Sequence, residues 1–228
     1  MQSFGMPQNT AINQQMVKNK VLRNTYLLLA LSMIPTVIGA FIGVQTAFIL
    51  KMPFWMHMLV FFGVAYGLMF AITKNKDNEK GVMLLLLFTF FMGLMLSNIL
   101  LAALRFSNGP LLIATAGVGT SVIFFSLAGI ATVTKKDFSF MQNFLFVGVI
   151  IAFVAAIANI FLAIPVLSLA ISTVFLLVFS GYILYDVSRI VNGGETNYIS
   201  ATLALYLDIY NVFVSLLHLL MMLTGRRD

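Results

Sequence analysis

Long apolar runs separated by short polar turns fill most of the chain. A helix rises 1.5 Å per residue and the bilayer core is about 30 Å thick, so a crossing takes about 20 mostly apolar residues. Seven stretches reach that length, at about 26–48, 53–73, 81–104, 110–133, 141–162, 166–191 and 200–223. Proline and glycine punctuate them. Pro165 divides the fifth from the sixth, and Gly193-Gly194 stops the sixth, because glycine enters the left-handed cap conformation without strain. Glu195, Thr196 and Asn197 then offer acceptors for the free N–H groups of the next helix. The pattern predicts an all-α membrane protein with seven transmembrane helices at 24–228, preceded by a polar N-terminal tail at 1–23.

Composition agrees with the pattern. Hydrophobic residues make up 61% of the 228 and charged residues 9%, with a mean hydropathy of +1.03. Soluble domains run near 45–50% and about 25%, so no separate soluble domain is left over. The absence of cysteine excludes disulfides, thiolate metal sites and a cysteine nucleophile. Residues 1–15 carry no charge, and the apolar run after Arg23 is too long for a signal-peptide core, so the first span is expected to be retained.

The net charge of +6 does not point to nucleic acid, because the basic residues sit at helix ends, where membrane topology accounts for them. Lys18, Lys20, Arg23, Lys74, Lys76, Lys80, Lys135, Lys136 and Arg189 fall on one side; Lys51, Arg105, Arg226 and Arg227 fall on the other. That bias places the N-terminus in the cytoplasm. The Arg226-Arg227 pair runs against it, a conflict that disappears if the last stretch is re-entrant. Gly39 with Gly43, Gly63 with Gly67, and Ala152 with Ala156 have small-residue spacing and are read as helix packing.

Two residues break the apolar pattern. Asp186 and Asp208 lie inside the sixth and seventh spans, where an ionised carboxylate costs roughly 2.5–3.5 kcal/mol on insertion scales. The turn between them reverses the chain, so both are expected at similar depth on neighbouring helices. At hydrogen-bonding distance they would share a proton over some pH range and form one titrating unit. Losing the proton would drive the helices apart, making a two-state element biased by pH or by a cation. Carboxylates are also hard oxygen ligands suited to calcium, so Asp186 and Asp208 are candidate metal contacts, although a proton would serve as well.

Asp208, Asn211, Ser215 and His218 follow at helical spacing and form a polar stripe on the seventh span, as expected of a helix facing a bundle interior or a water path. Local pairing is the simpler alternative. Arg189 stands one turn from Asp186 and could neutralise it, and Asp208 could bond Asn211 or a tyrosine. His218 reads more naturally as a satisfied interior histidine than as a ligand.

The segment GYILYDVSRIVNGGETNYISATLALYLDIYNVFVSLLHLL resembles the C-terminal signature of the Bax inhibitor-1 (TMBIM-like) family, and within it the bacterial YccA-type branch. The likeness extends over essentially the whole chain. It implies a bundle whose seventh helix is central and enclosed by the other six. It also implies a pH-sensitive calcium leak gated by an aspartate latch, here Asp186 and Asp208, in the bacterial inner membrane. YccA-type members are further associated with restraining a membrane-bound AAA protease through the N-terminal tail. Some members pair the first aspartate with an arginine of the second helix. This second span has none, and Arg189 is the candidate substitute.

The expected function is therefore a calcium or other cation leak through the lipid membrane, with modulation of a membrane-bound AAA protease as the alternative. An intramembrane aspartyl protease is a lesser one. Tyr185-Asp186 mimics part of its signature, but Leu205-Tyr206-Leu207 precedes Asp208 where glycine is required, and no Pro-Ala-Leu segment follows. No G-x-S-x-G, H-E-x-x-H or Walker motif occurs, so neither catalysis nor a cofactor is expected.

Overall fold

The computed structural model describes the backbone of residues 8–225, and side chains from residue 16 onward except at 49 and 54. Seven helices follow in order: α1 (Gln8–Thr46), α2 (Phe54–Lys74), α3 (Glu79–Ala103), α4 (Gly109–Thr134), α5 (Gln142–Leu162), α6 (Pro165–Asn192) and α7 (Tyr198–Thr224). All seven are long and apolar enough to cross a membrane. Local chemistry accounts for the breaks. Lys135 and Ala163 end α4 and α5 in left-handed geometry. Gly193 ends α6 at φ 83°, and the Gly194 amide donates to the Arg189 carbonyl at 2.7 Å. Pro165 opens α6, where its missing N–H would have had no helical partner anyway.

Two expectations are corrected here. α1 begins at Gln8 rather than near residue 26. The stretch from 8 to 25 contains no glycine or proline, so nothing stops the helix propagating back from the apolar span. Residues 1–7 of the expected tail, and Arg226-Arg227, lie outside the described residues. The re-entrant alternative also fails, because α7 is one unbroken helix of 27 residues.

α7 is central and packs against α1, α2, α3, α4 and α6. It is not ringed by all six others, since α5 packs mainly on α6. Glycine spacing divides the same way. Side chains at Gly39 and Gly43 would run into α3, at the Phe90 carbonyl and at Ser97 (2.6 Å), whereas nothing lies within 4 Å of Gly63 or Gly67. The α2 pair is therefore not a packing seam within this bundle. Of the third pair, Ala152 is buried and Ala156 half-buried.

The turns α2–α3, α4–α5 and α6–α7 meet at one end of the bundle. Asn197 donates to the Lys76 carbonyl (2.9 Å) and to Asp77 (2.8 Å). The Ser188 hydroxyl donates to the Lys136 carbonyl at 2.9 Å and accepts from the Phe138 amide at 3.1 Å. Lys18 reaches the Asn192 carbonyl at 2.9 Å.

Candidate functional site

The site grows from the α6–α7 turn. Asn197 caps α7 by accepting from the amides of Ile199 and Ser200, both at 3.0 Å. Glu195 steadies the cap by accepting from the Asn197 amide at 2.8 Å. With Thr196, for which no side-chain bond is formed among the described residues, these are the three polar residues that the sequence places after the glycine stop. Nearby, in the α4–α5 turn, Asp137 accepts from the Ser139 amide (2.9 Å) and hydroxyl, which hold its carboxyl below the usual carboxylate range.

Asp186 lies about 9 Å from the end of α6, and Asp208 about 15 Å into α7, at 1.5 Å per residue. Despite that offset the two carboxyls come close enough to interact. Residues Gly193 to Asn197 bring the chain back without a helical turn, which absorbs the difference in level. Asp208 is 5% exposed and Asp186 9%.

Among the described residues, ion pairs reach only Asp186. Arg189 lies 3.7 Å from Asp186 and 3.8 Å from Glu195, and its guanidinium rests 5.5 Å from the centre of the Tyr185 ring. The pairing of Asp186 with Arg189 is thus present, and it does not exclude an interaction of Asp186 with Asp208. Asp208 bonds neither Asn211 nor a tyrosine among the described residues. The Asn211 amide donates to the Leu207 carbonyl at 2.8 Å, and Asp208 Oδ2 has no partner.

The rest of the stripe leads away from the pair. Ser215 is buried, and His218 Nδ1 bonds the Ser172 hydroxyl at 2.7 Å. Both border a cavity of about 440 Å³ between α5, α6 and α7, with Asn159 and Ser168 on the far wall. Two carboxylates offer fewer oxygens than the 6–8 that calcium takes, so a bound ion would need carbonyls or water as well.

One polar node escaped the sequence reading. Tyr206 is buried at mid-helix, its hydroxyl 3.0 Å from Thr36 Oγ1 and 3.4 Å from the Thr89 carbonyl. It ties α1, α3 and α7 together. The only signal in the sequence was a tyrosine within an apolar span, which resembles the other tyrosines of the chain.

A family model described as "Inhibitor of apoptosis-promoting Bax1" matches residues 18–225. The chain belongs to the Bax inhibitor-1 family. Among family relatives, the Escherichia coli K12 protein named "Modulator of FtsH protease YccA" is 41% identical over 202 residues, covering 89% of this chain and 90% of the relative. A Vibrio cholerae membrane protein is 42% identical over 215 residues, covering 92% and 93%. A Neisseria meningitidis protein is 38% identical over 211 residues, covering 91% and 93%. The match spans the bundle from Lys18, which anchors α1, past the end of α7.

Proposed function

We propose that this chain is a modulator of a membrane-bound AAA protease of the FtsH type in a bacterial inner membrane, with its N-terminus in the cytoplasm. The observation that carries this reading is the 41% identity, over about nine-tenths of both chains, to the Escherichia coli protein of that name. A strain of the same species has a matching relative named "Inner membrane protein YccA". The fold supports it physically. α1 begins at Gln8, so about 15 Å of helix precedes Lys18, which is anchored at the knitted end where the lysine-bearing turns gather. It offers a handle to a protease domain on that side.

The test is degradation of a membrane substrate by the protease in liposomes, with and without the full chain. Slower degradation is expected, with the effect lost when residues 2–15 are removed. An unchanged rate in the presence of the chain would end the reading. Cysteines placed singly at Asn78 and Asn108 should label from opposite sides, Asn78 from the cytoplasm. Labelling from one side would overturn the orientation and the span assignment together.

A second reading, a pH-sensitive cation leak, is favoured by the burial of Asp186 and Asp208 close to one another. A shared proton belongs to both groups. Calcium flux in liposomes should therefore lose its pH response about equally in Asp186→Asn, Asp208→Asn and the double variant. Additive effects would count against a shared latch. The two readings concern different parts of the bundle and are compatible.

A further inference from the structure

The polar stripe of α7 runs into a cavity that neither reading uses. Its volume of about 440 Å³ falls among small-molecule sites, which are mostly apolar with a few placed polar groups and often lie between the helices of bundles. The cavity occupies the half of the bundle away from the knitted turns. Asn159 and Ser168 stand about 4.5 Å from the ends of α5 and α6 there, His218 about 9 Å from the end of α7 and Ser215 about 14 Å, at 1.5 Å per residue. The polar groups thus descend through one leaflet. α5 packs mainly on α6 and makes no seam with α7, so the space between them can be reached from the bilayer.

Hydrogen bonds fix what the cavity presents. Ser172 Oγ lies 2.9 Å from the Ser168 carbonyl and 2.7 Å from His218 Nδ1. A hydroxyl has one proton, and a carbonyl can only accept. The Ser172 proton therefore goes to Ser168, and His218 Nδ1–H donates to Ser172. That leaves a lone pair on Nε2, which has no partner among the described residues. Ser215 marks the cavity independently. It is 6% exposed and borders the cavity, and its hydroxyl forms no hydrogen bond among the described residues. Its oxygen is open to contact, unlike that of Thr120, which is sealed.

This chemistry selects the occupant. No Asp, Glu, Lys or Arg borders the cavity, so a charged ligand would enter without compensation. A neutral ligand has to offer a donor to Nε2 and an acceptor to Ser215, and a hydroxyl offers both. Water does so too, but it gains nothing from Phe175 and the aliphatic walls, against which an amphiphile buries apolar surface.

We propose that the cavity binds the head of a neutral, hydroxyl-bearing amphiphile from that leaflet, its O–H donated to His218 Nε2 and its oxygen accepting from Ser215. A phenolic ring, as in a membrane quinol, and a long-chain alcohol share this chemistry. The site stands apart from both readings above, and its failure would leave them as they are.

The test is thermal unfolding of the full chain in detergent, at a fixed mole fraction of decylubiquinol, its dimethyl ether or dodecanol. A ligand that binds only the folded state raises the unfolding temperature. The quinol, the alcohol or both should do so. The ether keeps the ring and tail but has no donor, and should not. His218→Asn keeps a donor for Ser172 and removes the Nε2 lone pair, so it should fold as wild type does and bind about fivefold more weakly, the loss of one hydrogen bond. Ser215→Phe fills the cavity and should abolish the shift, and the smaller change Ser215→Ala should weaken binding about as much as His218→Asn. A shift with the quinol alone assigns a ring to the site, and a shift with dodecanol alone assigns an alcohol lipid. An ether as effective as the quinol, a His218→Asn form that responds like wild type, or no shift with either hydroxyl ligand would overturn the site.

Discussion

On one flank α1 is sealed against α3; on the other it stands off from α4 with α7 at the base of the gap. The sealed flank is backbone on backbone. Gly39 sits against the Phe90 carbonyl and Gly93 against the Thr36 carbonyl, close enough that neither position has room for a methyl group. The open flank also carries glycines at helical spacing, but a side chain at Gly117 or Gly129 would meet only space. Small-residue spacing therefore records where a helix could approach, and which helix arrives is decided by the rest of the packing. Gly63 and Gly67 on α2 make the same point.

The largest effect that separates the flanks comes from filling a glycine on each. Gly39→Leu forces α3 away from α1 along the seam, and a loss of about 4 kcal/mol or more, or failure to fold, is expected for overpacking a buried backbone contact. Gly117→Leu should stay within about 0.5 kcal/mol of wild type or gain slightly, since leucine is the better helix former. Thermal unfolding in detergent measures both. Similar losses at the two sites would mean that the open flank closes in the membrane.

How much of this was legible beforehand depends on whether a feature is local. Six of the seven helices begin and end close to where the apolar runs, prolines and glycines put them, because those signals act over one or two turns. α1 departed because the sequence before its span lacks any stop, and polarity alone does not break a helix. The Asp186–Asp208 meeting could be anticipated because a short turn joins their helices, leaving little freedom in how they face. The Thr36–Tyr206–Thr89 node could not, since it joins three helices that no local signal brings together. The α1–α4 groove was likewise hidden, because a gap is a property of neighbours that fail to meet.

Of intermediate size is the effect of removing the hydroxyl on the sealed flank. Thr36 Oγ1 lies 2.9 Å from the Ser32 carbonyl, 3.2 Å from the Thr89 carbonyl and 3.0 Å from the Tyr206 hydroxyl. Thr36→Val keeps the shape but leaves the buried Tyr206 hydroxyl with the longer bond to Thr89 alone. A loss of about 1–2 kcal/mol is expected, toward the upper end of measured interhelical bonds in membranes. Tyr206→Phe combined with Thr36→Val should cost less than the sum of the two singles, because each removes the same contact. Strict additivity would show that the node is not a unit.

The smallest effect has the opposite sign. Thr120→Val on the open flank removes a hydroxyl that forms no bond within the chain, again with the shape kept. A buried donor without a partner is a standing cost of about 1–3 kcal/mol where water is excluded. The hydroxyl oxygen is itself buried, so a gain of up to about 1 kcal/mol is expected for the chain. The protein should therefore unfold at a slightly higher temperature. If Thr120→Val instead costs the isolated chain as much as Thr36→Val, the hydroxyl has a bond inside the bundle, and the two flanks of α1 differ in shape alone.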